Sequence, residues 1–465
     1  MEYTEGAGQP GDAGAAEKLP HPVSAGPATP HPVGAGPATP HPASAGPATP
    51  HPASAGPATP HPASVGPATP PNAPDRLVYL DHAATAPMLP EAVAVMTDEL
   101  ARLGNPSSLH NAGRRARRVV EESREQIAEA FSARPSEVIF TGGGTEADNL
   151  AVKGLFWARR NDDPQRRRVL IPATEHHAVL DSANWLASHE GAEICWLGVD
   201  GTGLVSADTL RAAIEPDPDS VALVSVMWAN NEVGTIAPVA ELAAVAAEYQ
   251  IPFHTDAVQA AAQVPVHFAD SGVDALTITG HKLGGPVGAG ALLLARGAQP
   301  VPVLHGGGQE ADIRSGTLDA PAIRAFGTAA QVVAKTRDSE ATRLAALRDD
   351  LIARVRAAVP GAILNGAPPG PGRLPGNAHF SFPGCEGDAL LMLLDAKGIA
   401  CSTGSACTAG VAQPSHVLLA MGAGEARARG SLRFSFGATS TQEDCAAVGD
   451  VIGEAVERAR RAGRS

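Results

Sequence analysis

From Leu77 onward, short apolar runs alternate with stretches whose apolar residues recur at helical spacing. Residues 137–140, 169–171, 221–227, 251–254 and 275–279 read as strands. Residues 179–188 and 238–249 read as helices between them. Strands separated by helices of this length form crossover units, which predicts a mostly parallel sheet covered on both faces. The Gly/Pro-rich stretch 365–376 reads as a loop in a second, smaller region, and 441–461 as an exposed amphipathic helix. In parallel α/β folds the chemistry collects on loops that follow the C-terminal ends of strands.

The first 74 residues break this pattern. They hold 19 of the 41 prolines, 15 of them in five consecutive decapeptides from HPVSAGPATP at 21–30 to HPASVGPATP at 61–70. Such a run has no large apolar side chains to bury, so residues 1–75 read as a disordered or polyproline-like tail. The remaining 390 residues suffice for a large domain and a smaller one. The expected division is 76–91 as an N-terminal segment of the small domain, 92–335 as the large domain, and 336–465 as the rest of the small domain. The whole chain carries a net charge of −14. The tail accounts for little of that, so the core is acidic, which argues against general nucleic-acid binding. No apolar run is long enough to span a membrane, the start has no signal-peptide core, and five cysteines make no disulfide framework. A cytoplasmic enzyme or binding protein is the expectation.

Three strand ends carry unusual residues. Thr141-Gly-Gly-Gly-Thr145 precedes a helix, an arrangement that offers backbone N–H groups to an anion but is often only a structural turn. Asp256 ends another strand, where a carboxylate can hold a protonated ring nitrogen or simply cap a helix. Thr279-Gly-His281-Lys282 follows a third, and a lysine among glycines suits a Schiff base beside a phosphate, although most lysines are surface charges. Together they are the parts needed to hold pyridoxal 5′-phosphate.

The chain resembles the cysteine desulfurases of the class V aminotransferase family, with PLP-dependent transferase fold type I. The resemblance rests on Tyr79-Leu-Asp-His-Ala-Ala-Thr85, Gly104-Asn-Pro-Ser-Ser108, Gly144-Thr-Glu-Ala-Asp-Asn149, Thr174-Glu-His176, Asn230-Asn-Glu-Val-Gly234, Asp256-Ala-Val-Gln259, Gly280-His-Lys282, Arg314-Ser-Gly-Thr317, Gly404-Ser-Ala-Cys407 and Arg433-Phe-Ser435, in family order. It implies a mostly parallel large-domain sheet with helices on both faces, plus a smaller α+β domain. It implies that Lys282 binds the cofactor and shuttles the substrate α-proton, and that Asp256 pairs with the ring nitrogen. Gln259 would bond the ring hydroxyl, and His176 would stack on the ring and assist proton transfer. Asn230 would orient ring and substrate. Gly144, Thr145, Thr279, His281 and, from a second copy, Thr317 would hold the phosphate. Arg433 would clamp the substrate carboxylate, unless it serves a structural ion pair.

By the same resemblance, the Cys407 thiolate takes sulfur from L-cysteine, leaving alanine and an enzyme persulfide. The spacing from Cys407 to Pro414-Ser415 matches the long-loop class, which implies a homodimer that hands sulfur to an iron–sulfur scaffold or a thiolation enzyme. A selenocysteine lyase, another class V enzyme, or a sulfur-carrier subunit remain alternatives. Trp228 stands where histidine is common and is expected to reshape the pocket wall. Cys401 reads as a buried small residue or a second thiol for the persulfide, and Cys385 and Cys445 as structural. Arg114, Arg115, Arg117 and Arg118 read as a solvated or subunit-facing helix rather than an RNA site. The tail histidines read as spacers, and no metal site is expected.

Overall fold

The computed structural model describes residues 76–404 and 413–462. Its main layer is a seven-stranded sheet. In spatial order the strands are Val138–Thr141, Gly290–Leu294, Ala275–Thr279, Phe253–Asp256, Val221–Ser225, Arg168–Pro172 and Glu193–Leu197. From Ala275–Thr279 to Glu193–Leu197 every neighbouring pair is parallel. Gly290–Leu294 runs antiparallel to both of its neighbours.

Both faces are covered, and the side-chain period of two makes this visible on one strand. Leu293 enters a hydrophobic cluster with Ile127, Leu242, Leu276 and Phe326. Leu292 and Leu294 enter a separate cluster with Leu150, Val169 and Val179. Each fully buried side chain of this kind contributes roughly 1.5–3 kcal/mol. The five expected strands and both expected helices are present, the helices as His177–Glu190 and Val239–Glu248. Two strands of this sheet escape the apolar-run reading. Glu193–Leu197 is the sheet edge, with Trp196 half exposed, so its pattern is mixed. Gly290–Leu294 follows a glycine-rich turn that masks its start.

A third cluster gathers Val78 and Leu80 with Leu351, Phe380, Phe434 and Ile452. It lies on a three-stranded antiparallel sheet, with Asn377–Ser381 between Ser431–Ser435 and Ile363–Leu364. The start of the described chain joins it through Val78–Tyr79, which pairs in parallel with Ile399–Ala400. The 39-residue helix Ala320–Ala358 serves two cores: Phe326 and Ala329 pack into the large cluster, Leu344 and Val355 into the small one.

The helix Gln442–Ala462 is amphipathic as its spacing suggests, but it is not simply exposed. Its inner face buries Cys445, Val448, Ile452 and Val456. Residues 365–376 contain no regular helix or strand, yet they fold around Arg373, which is 1% exposed. The Arg373 guanidinium donates to the carbonyls of Asn365, Ala367 and Asn377, and burial holds its pKa down to about 10. Among the described residues no helix is long and apolar enough to cross a membrane.

Candidate active site

The parallel strands end along one edge, and a cavity of about 420 Å³ opens there. Its wall includes Gly144, Thr145, His176, Asp256, Gln259, Thr279, His281, Lys282 and Arg433. Residues read separately from the sequence therefore meet in one place.

The glycine loop is built by close approach. Val138–Thr141 ends, Gly143 adopts φ +144°, and the helix Gly144–Asp162 begins. A Cβ on Gly290 of the neighbouring strand would stand 2.7 Å from the Gly143 backbone, so only glycine fits there. The first amides of that helix have no intrahelical acceptor, and its dipole favours an anion at this end. Thr145 is exposed beside them.

Asp256 closes its strand with 5% exposure, and its Oδ1 accepts from Val258 N–H at 2.8 Å. Burial raises its pKa, while facing His176 and Lys282 pull it back. Lys282 sits in the short turn Gly280–Lys282, and its ammonium donates to the carbonyls of Ala83 and Ala84. Burial and the nearby Arg433 bring its pKa down to about 8, so it is no ordinary surface lysine. Gln259 donates to Ala83 O at 2.9 Å.

His176 caps the helix His177–Glu190: its Nδ1 accepts from Ala178 N–H at 3.1 Å. In the neutral ring the proton therefore sits on Nε2. The ring faces solvent within the cavity, but surrounding protein still lowers its pKa. His281 lies 3.3 Å from the Thr85 hydroxyl and is driven by burial to a pKa of about 4. Thr279 donates to Ala289 O at 3.2 Å.

Arg433 makes the structural ion pair and also faces the cavity. It lines the cavity, and its Nη2 donates to Asp81 at 2.8 Å while Nη1 donates to Asn231 O at 2.9 Å. Among the described residues, its Nε is buried with no partner.

The expectations for Asn230 and Trp228 fall elsewhere, while Thr317 and Cys407 are not tested by a single chain. Asn230 does not line this cavity; its amide donates to Thr174 O, and its oxygen accepts from Glu232 N–H and Val233 N–H. The adjacent Asn231 and Glu232 line the wall instead. Thr317 is exposed and outside the cavity of its own chain. Trp228 packs against the large core rather than on the cavity wall. Cys407 lies outside the described residues, although Gly404, three positions earlier, lines the cavity. Cys401 is 8% exposed, and burial pushes its thiol up to about 12, which suits a packed residue rather than a nucleophile.

The sequence reading did not single out Asp148, Glu232 or His416. Ser415 donates to Glu232 at 2.6 Å, and His416 lies 3.0 Å from Glu175 O. The signal available for Asp148 and Glu232 was an acidic residue inside a motif already quoted. The signal for His416 was a titratable residue next to Pro414-Ser415.

Residues 78–448 match the model of the aminotransferase class-V family. The chain belongs to the class V aminotransferase family. Among class V relatives, the IscS-like cysteine desulfurase of Mycobacterium tuberculosis is 58% identical over 386 residues, covering 83% of this chain and 98% of that one. A solved NifS-like protein from Rickettsia africae superposes with TM-score 0.73 at 30% identity, covering 82% of this chain and all of that one. A structure described as SspA in complex with cysteine superposes with TM-score 0.67 at 32% identity, over 78% of this chain and 99% of that one. Class V enzymes depend on pyridoxal phosphate, and the donor set here suits it. An amine of lowered pKa, a buried carboxyl and an open helix N-terminus share one cavity.

Proposed function

We propose that this chain is a pyridoxal-phosphate-dependent cysteine desulfurase, a homodimer that converts L-cysteine to L-alanine and passes the sulfur through a persulfide on Cys407 to an acceptor protein. The observation that carries this reading is the convergence of Lys282, Asp256, His176 and Arg433 on one cavity at the ends of the parallel strands. The Mycobacterium relative bears the desulfurase name, and a structural neighbour was solved with cysteine. When bound, pyridoxal phosphate supplies a sink for the charge that develops at the substrate Cα. Gly144, Thr145, Thr279, His281 and Thr317 from a second copy would hold its phosphate. Asp256 would keep the ring nitrogen protonated, Gln259 would bond the ring hydroxyl, and His176 would stack on the ring. Asn230 acts by fixing the turn that presents Asn231 and Glu232.

Lys282 holds the amine that would attach the cofactor and move the Cα proton; its low pKa leaves much of it neutral near pH 8. His176 presents Nε2–H to the cavity and returns protons from there. Arg433 takes the substrate carboxylate in exchange for Asp81. The Cys407 thiolate attacks the substrate sulfur: an S–S bond forms, the Cβ–S bond breaks, its electron pair stays with the carbon skeleton, and protonation gives alanine. The acceptor belongs to iron–sulfur assembly or to thiolation. Purified protein should turn yellow with pyridoxal phosphate and release alanine from cysteine. Full desulfurase activity in Cys407→Ala with a thiol acceptor present would overturn the mechanism.

A further inference from the structure

Close to Asp256 lies a second carboxyl that none of the proposed steps employs. Asp148 sits on the helix Gly144–Asp162 with 1% exposure and reaches the cavity wall. One ligand atom each from Asp148, His176 and Asp256 falls within 4.8 Å of the others. Among the described residues, Asp148 Oδ1 is buried and has no hydrogen-bond partner. The nearest basic group is His254 Nε2 at 3.6 Å. His254 is itself fully buried, with Nδ1 2.9 Å from Ser225 Oγ and Nε2 3.1 Å from Thr277 Oγ1.

Two buried carboxyls this close do not both ionise. The groups that face them decide which one carries the charge. Asp256 accepts from Val258 N–H and faces the cationic Lys282. Asp148 faces Glu175 and Asp256, both of which oppose a negative charge, and only the neighbouring Thr277 favours one. His254 offers no compensation, because burial keeps it neutral down to about pH 3. We propose that Asp148 is a positioning residue for Asp256: a carboxyl that stays protonated at neutral pH, so that the single negative charge of the pair rests on the carboxylate assigned to the cofactor's ring nitrogen. The inference rests on the reading of Asp256 given above.

A protonated carboxyl and an amide have nearly the same shape and both are neutral, which supplies the test. In the cofactor-free protein at neutral pH, infrared difference spectra of wild type minus Asp148→Asn should contain a protonated-carboxyl C=O band. Pyridoxal phosphate titrated into Asp148→Asn should bind within about threefold of wild type, and the visible band should titrate at the same pH. Asp148→Ala, which removes the polar neighbour and opens space beside Asp256, should weaken binding by about tenfold, with Asn as the rescue. No carboxyl band, or an Asn variant as impaired as Ala, overturns the proposal. Wild-type protein that binds no pyridoxal phosphate would instead overturn the reading of the site, while the infrared band would still decide the charge on Asp148.

Discussion

Burial gives Lys282 a pH window of its own. Its amine is mostly charged below about pH 8 and mostly neutral above it. Capture of pyridoxal phosphate by cofactor-free protein should therefore accelerate as pH rises through 8 and then level off. Stopped-flow growth of the visible band measures this, and a flat rate across that range would contradict it. Folding depresses this pKa from 10.5, so the unfolded chain binds more protons between about 8 and 10.5. In that window the group adds stability as pH rises, and below about 8 it opposes folding by a constant amount. Arg433 makes a second prediction. Loss of a charge-assisted hydrogen bond of about 1.5–3 kcal/mol implies that Arg433→Ala lowers kcat/KM for cysteine roughly 10–100-fold. Steady-state kinetics check this, and the Lys variant should recover only part because it lacks the fork that spans Asp81 and Asn231 O. Lys282, Asp256 and His176 were legible because each follows a strand in a recognisable order. Spacing could not say which of two adjacent asparagines faces the cavity. Nor could it show that Asp148 meets His254, since that contact joins a helix to a strand about 100 residues away.

Among the elements, the strand Gly290–Leu294 shapes the glycine loop by close approach. Gly290→Ala would push a methyl group onto the Gly143 backbone at 2.7 Å and displace the start of the helix Gly144–Asp162. The expected result is a loss of pyridoxal phosphate affinity of at least tenfold, read by titration of the cofactor-free protein, with the melting temperature lowered as well. Central strands were readable as continuous apolar runs because both of their faces are buried. The edge strand Glu193–Leu197 was not, because half of it meets solvent. The inner face of Gln442–Ala462 is a related case: periodicity revealed an apolar stripe, but only the tertiary packing supplies what covers it.

At the scale of the molecule, every residue assigned a role lies after Asp75. A protein lacking residues 1–75, which fall outside the described residues, should keep its alanine-forming rate within about twofold. A large drop in steady-state turnover would give the decapeptide segment a catalytic part. The general architecture was legible because apolar runs and helical segments alternate. The sharing of one 39-residue helix by two cores was not, because it depends on where each face of Ala320–Ala358 finds its partners.

The reversed strand also sets an order of assembly. Thr279 pairs with Gly290 across a short hairpin that carries Lys282, whereas Thr141 pairs with the same Gly290 across a loop of nearly 150 residues. Closing the longer loop costs on the order of 2 kcal/mol more chain entropy than closing the hairpin. The lysine and its turn can therefore form from local contacts, while the anion-binding glycines wait for a distant partner to be synthesised. During translation, a nascent chain that stops short of Gly290 can already pair the strands that carry the aspartate and the lysine, but its glycine loop has no strand beside it. The loop takes its place late, when one small strand slides between two older ones.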